Sequence, residues 1–81
     1  MARIIQKNCV YKHFKGRLYF VEDFAINNET DEKMVVYRAL YGNHQLYVRP
    51  YDNFASLLDK SKYPNAKQKY RFSKVNMEKL W

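Results

Sequence analysis

A chain of 81 residues can bury one small core and not two, so residues 1–81 read as a single domain. Lys and Arg outnumber Asp and Glu by 15 to 8, a formal charge of +7, which favours anionic partners such as nucleic acid or phosphate-bearing small molecules. The single cysteine, Cys9, excludes an intrachain disulfide, and no apolar run approaches the roughly 20 residues of a membrane span.

In chain order, the opening "MARIIQKNCVYKHFKG" lacks the apolar h-region of a signal peptide, so a cytoplasmic, soluble protein with a free structural thiol is expected. "GRLYFVEDFAI", from Gly16 to Ile26, is dense in aromatic and β-branched residues and predicts a strand, closed by the polar turn cluster "NNETDEK". Residues 33 to 41, "KMVVYRALY", predict a second strand, Gly42 and Asn43 a tight connection, and "HQLYVRP" a third strand ending at Pro50. Phe54, Leu57 and Leu58 then recur at helical spacing, which predicts a short helix over 51–60 with Pro50 near its first turn. "SKYPNAKQ" is a basic loop, "KYRFSKV" from Lys69 a last strand, and the tail "NMEKLW" fits either a frayed helix or a terminal strand. Four to five strands and one short helix on so short a chain predict a mainly β protein, a small partly open antiparallel β-barrel of the SH3-like kind. Closing that sheet would remove its exposed edges.

Catalytic and metal-binding signatures are sparse. Two histidines, His13 and His44, one cysteine and no paired CxxC or HExxH give no basis for a metal site or cofactor within one chain. Cys9 and His13 would lie about 13 Å apart on a straight strand, too far for a nucleophile and its base. Glu29, Asp31 and Glu32 share one turn, where a solvated loop explains them better than an acid/base pair. The expectation is a protein that is not an enzyme.

Arginine, lysine and tyrosine remain. "MVVYRALYG" sets Arg38 in the middle of an apolar strand, and a guanidinium asks for a carboxylate or phosphate partner. Alternation places Val35, Tyr37, Ala39 and Tyr41 on one face and Val36, Arg38 and Leu40 on the other; on the next strand Leu46 and Val48 go together, opposite Tyr47 and Arg49. Turning both arginines outward satisfies two apolar faces without burying charge, and predicts that Arg38 and Arg49 share one patch with Tyr47. The competing structural role pairs either arginine with Glu22, Asp23 or Asp52.

The blocks Y-K-H-F-K-G (11–16), V-V-Y-R-A-L-Y-G (35–42) and V-R-P (48–50), followed by Phe54, occur in the order and spacing of a known family. Residues 10 to 54 resemble the DUF1653 family of small bacterial and phage domains, with a weaker echo in Pro64 and Arg71–Phe72. The motif positions are Tyr11, His13, Phe14, Lys15, Gly16, Tyr19, Val21, Glu29, Thr30, Tyr37, Arg38, Tyr41, Gly42, Arg49 and Pro50. The chain departs from the pattern at Tyr47, where an aromatic, often tryptophan, is usual, and in the stretch "DKSKYPNAKQK", longer and more positive than the acidic stretch of the family. The resemblance implies a small domain and supplies no activity. It draws His13, Lys15, Tyr37, Arg38, Tyr41 and Arg49 into one candidate ligand site with Tyr47, whereas Lys60, Lys62, Lys67, Lys69 and Lys74 lie outside the motif. A compact cluster suits a pocket-sized anion, and a basic stripe suits a polymer. The functional expectation is therefore a binding module for a nucleotide-like ligand, one use being a phage protein that sequesters a host signalling nucleotide. Arg38 and Arg49 would grip phosphate, a tyrosine ring would stack on the base, and a symmetric second copy would wall the pocket. A nucleic-acid-binding barrel and an SH3-like protein-interaction module are the alternatives.

Overall fold

The computed structural model describes residues 3–76. Five antiparallel strands form one sheet: β1 Val10–His13, β2 Leu18–Ile26, β3 Lys33–Ala39, β4 Leu46–Pro50 and β5 Phe72–Lys74, with one short helix, α1 Tyr51–Phe54, between β4 and β5. The spatial order is β4-β3-β2-β1-β5. The protein is mainly β, and its sheet curls over a core without closing, so β4 and β5 remain edges. The expectation that closure removes the edges is corrected here: β4 and β5, at the two ends of the order, do not pair with each other. No helix among the described residues is long and apolar enough to cross a membrane.

Strands β2, β3 and β4 follow the hydrophobic pattern, with adjustments at their ends. β1 was not anticipated, because "VYKH" is too short to show a period. Its partners on both sides create it: it pairs Tyr11 with Tyr19 of β2 and His13 with Phe72 of β5. β3 stops at Ala39 and β4 starts at Leu46, so the connection is longer than the Gly-Asn turn expected. His44 adopts φ 57°, a left-handed conformation that cannot continue a strand. Helix α1 ends at Phe54, well short of residue 60, because the chain is drawn into a second pairing. Leu57 bridges Tyr70, and the Leu58 N–H donates to Lys69 O at 2.9 Å. The same pairing holds 69–71 outside the ladder and confines the last strand to Phe72–Lys74. Of the tail, residues 77–81 lie outside the described residues.

Alternation sends Tyr11, Val21, Val35, Tyr37 and Phe72 to the inner face, where Ile5 and Phe54 cover them. Phe54 and Phe72 stack in parallel at 4.0 Å between ring centres, and Tyr11 meets Phe54 edge-on at 5.5 Å. Thus α1, a helix of one turn, exists to drop Phe54, fully buried, onto the sheet. Burying tyrosine requires a partner for its hydroxyl. Tyr11 Oη accepts from the Gln6 N–H at 2.9 Å and Tyr51 Oη from the Ile5 N–H at 2.8 Å. These bonds tie the N-terminal segment across the core.

Candidate functional site

The register of β3 against β4 decides which predicted residues can meet. Arg38 pairs with Leu46, Val36 with Val48, Tyr37 with Tyr47 and Val35 with Arg49. Every pair joins two even-numbered or two odd-numbered residues, and paired side chains lie on one face. Arg38 therefore points to the outer face with Val36, Leu46 and Val48, while Arg49 points to the inner face with Tyr37 and Tyr47. The predicted patch containing both arginines does not form.

Arg38 faces a carboxylate. A bulge between Val21 and Asp23 inserts Glu22 into β2, and bulges re-aim side chains in this way. Arg38 Nε donates to Glu22 Oε2 at 2.5 Å, and Nη1 donates to the His44 carbonyl at 2.9 Å. Both groups are about one-third exposed, 39% and 34%, so the pair is a half-buried staple between β2, β3 and the following loop.

Arg49 has no carboxylate. Among the described residues the ion pairs are Lys7–Asp23 and Arg38–Glu22. Arg49 Nε donates to Tyr37 Oη at 3.1 Å, Nη1 to Asn53 Oδ1 at 2.8 Å, and the guanidinium lies 5.2 Å from the Phe72 ring centre. Neutral acceptors and a ring face hold the fork in place and leave its charge uncompensated. Tyr37, 4% exposed, is a core residue that orients Arg49. Tyr47 is 42% exposed, and its ring lies 5.8 Å from that of Tyr37, available for stacking.

His13 sits beside this arginine. Its ring packs against Phe14 at 4.5 Å and Phe72 at 5.0 Å, and its Nδ1 accepts the Lys15 N–H at 3.1 Å, which leaves the proton of the neutral ring on Nε2. Burial, then the charges of Arg49, Arg71 and Lys15, push its pKa down from 6.5 to about 4. The three neighbouring charges that lower it are all positive. Tyr41 completes the rim: its hydroxyl shares a 2.8 Å hydrogen bond with that of Tyr19, and Arg17 lies 4.3 Å over its ring. Burial, then the bond to Tyr41, push the Tyr19 phenol well above its ordinary range.

The structure thus brings together His13, Lys15, Tyr37, Tyr47 and Arg49, sets Tyr41 at the rim and removes Arg38. Sequence reasoning missed Asn53, Arg71 and Arg17. Arg71 is carried in by the 69–71 pairing, where its backbone N–H donates to Ser56 O at 3.1 Å and its Nε to Ser56 Oγ at 3.3 Å. The adjacency of Arg71 and the motif residue Phe72 was its only signal. An open cleft of about 380 Å³ lined by Arg3, Asp52, Ala55, Ser56, Leu57, Lys69 and Tyr70 adjoins the cluster at Ser56 and carries one carboxylate, Asp52.

Fold and site together define a small open-sheet β domain with a basic, aromatic inner rim. The family described as "Protein of unknown function (DUF1653)" matches residues 9–74, and the chain belongs to that family. It is similar to the crystal structure of a DUF1653 protein from Bordetella bronchiseptica, at 30% identity and a TM-score of 0.72, with 88% of each chain covered. No curated protein matches significantly.

Proposed function

We propose that the protein is a non-enzymatic binding module whose inner rim takes a compact phosphate-bearing, nucleotide-like ligand. The observation that carries this reading is that Arg49 and His13 both lie against the Phe72 ring, at 5.2 and 5.0 Å, with the Lys15 N–H on His13 Nδ1 and Arg71 next to Phe72 in the chain, while the ion pairs among the described residues, Lys7–Asp23 and Arg38–Glu22, take in none of these cations. Such a site has a field for a dianion, a pre-oriented guanidinium fork to receive it and the half-exposed Tyr47 ring for a base. The role is one of capture or sequestration. Arg38, bound to Glu22, has no part in it.

A nucleic-acid stripe along the basic loop is less well supported. Lys60 Nζ is spent on the Ala66 and Gln68 carbonyls at 2.6 and 2.9 Å, closing its own loop.

Thermal shift with inorganic phosphate and with nucleoside mono-, di- and triphosphates tests the reading, since a ligand of the native state raises the melting temperature. A nucleotide is expected to stabilise more than phosphate alone. Arg49→Ala is expected to weaken binding about 10- to 100-fold, as loss of a charge-assisted pair does. Lys15→Ala, an exposed change, is expected to weaken it less while leaving the fold intact. Absence of any shift across this panel overturns the proposal.

A further inference from the structure

We infer that β4 is a self-association edge, across which a second copy of this chain pairs antiparallel in a register centred on Tyr47.

Strand β4 ends the sheet order and carries no edge protection along Leu46–Val48, where a lysine, bulge or proline would usually sit. The Ala39 N–H donates to Gln45 O at 2.9 Å, which fixes the phase of the ladder. Gln45, Tyr47 and Arg49 turn their backbone groups toward β3, and Leu46 and Val48 turn theirs outward. The Leu46 carbonyl accepts from the exposed Gln45 amide at 3.2 Å, an arrangement a strand would displace. Side chains along the edge are unusually apolar: Leu46 is 40% and Val48 61% exposed.

The occupant follows from pairing rules and charge. With Tyr47 opposite Tyr47 of the second copy, Leu46 faces Val48 in both directions. All outward N–H and C=O groups of these two residues are then used, in four hydrogen bonds. Pro50, which has no N–H, stays outside the ladder. Arg49 falls opposite Gln45 of the second copy, so no like charges meet. The outer face beside this edge carries the neutralised Arg38–Glu22 pair, whereas the inner rim holds the uncompensated cations. Arg49 is the one cation on this strand, and the register sets it beside the uncharged Gln45 of the second copy, so the shared +7 charge weakens the contact at low salt without setting like charges directly opposite each other. An interface of a few edge residues belongs to the small, transient class, so association should grow with concentration. Pairing would place the two Tyr47 rings side by side at the mouths of two inner rims.

Sedimentation equilibrium of the ligand-free protein, from about 10 μM to about 1 mM, a range suited to weak contacts, tests the inference apart from any ligand. The mass is expected to rise from that of the 9.9 kDa chain toward twice that value. Val48→Pro removes an outward N–H while leaving the β3 pairing, and is expected to hold the protein monomeric with its circular dichroism retained; Val48→Lys should do the same by charge. For register, Tyr47→Cys in a Cys9→Ser background is expected to oxidise to a covalent dimer, because directly opposed non-hydrogen-bonded positions suit a disulfide. A wild-type mass that stays monomeric throughout, a dimer that persists in both Val48 variants, or failure of the Tyr47→Cys variant to cross-link overturns the inference. The first outcome would leave the edge open to an extended peptide.

Discussion

Arg38 and Arg49 carry the same charge on neighbouring strands and do different work, because one meets a carboxylate and the other only neutral acceptors. Truncating Arg38 should therefore be a stability change alone. Arg38→Ala is expected to cost about 1 kcal/mol, the scale of a half-exposed ion pair with one added hydrogen bond, read from the urea midpoint. Ligand affinity should stay unchanged. A double-mutant cycle with Glu22→Gln should return a coupling of about 0.5 to 1 kcal/mol, and zero coupling would remove the staple. His13 gives a pH signature. Its folded-state pKa near 4 lies below the ordinary 6.5, so the unfolded chain binds a proton first as pH falls. The stabilising contribution of the neutral ring is full above pH 6.5 and is lost progressively toward pH 4. Because the ring is partly exposed, solvent screening reduces the loss to about 1 to 2 kcal/mol, and His13→Gln should flatten that slope. A phosphate bound beside Arg49 would favour the imidazolium. Ring-proton NMR should then show the His13 pKa moving up toward its ordinary value, and an unmoved pKa would place the ligand elsewhere.

At the scale of elements, the turns are as informative as the strands. The β1–β2 connection is closed by the His13 N–H donating to Arg17 O at 2.9 Å and the Gly16 N–H donating to His13 O at 2.8 Å. Gly16 sits at φ +107°, where a side chain is strained whatever the space, while Gly42 sits at φ +57° in the left-handed region that asparagine tolerates. Neither glycine has another group within 4 Å of an added Cβ, so backbone strain alone separates them. Gly16→Ala is expected to cost about 1 to 2 kcal/mol and Gly42→Asn less than about 0.5, measured by thermal unfolding. Equal costs would show that both turns can relax. The Gly16 turn also carries Lys15 and Arg17 to the rim, so its strain would be felt in binding as well as in stability.

For the whole molecule, a charge of +7 with two ion pairs among the described residues leaves net repulsion in the folded state. Raising salt from about 0.02 M to about 0.3 M shortens the screening length and is expected to raise the melting temperature. A fall would mean that the Arg38–Glu22 and Lys7–Asp23 pairs outweigh the excess cations. Nucleotide affinity should move the other way, weakening as salt screens Arg49, Arg71 and Lys15. Both trends can be read in one salt series.

Much of this architecture was legible in the chain, because its causes are local. Alternation of apolar residues determined β2, β3 and β4 and sorted Val35, Tyr37 and Ala39 from Val36 and Arg38. It also set Tyr47 with Arg49 and apart from Leu46 and Val48. These follow from the two-residue repeat of a strand, which needs no knowledge of its neighbours. Which face of β4 joins which face of β3 was decided by the register that the 40–45 connection imposes, and a change of one residue there would exchange the faces. The bulge at Glu22, the return of 69–71 that carries in Arg71, and the short β1 held between two partners are likewise pairings between distant segments. Composition and local period therefore determined a basic, aromatic, mainly β domain. Only tertiary structure separated Arg38 from Arg49, because a side chain's partner across a sheet depends on long-range register, and no local repeat encodes it.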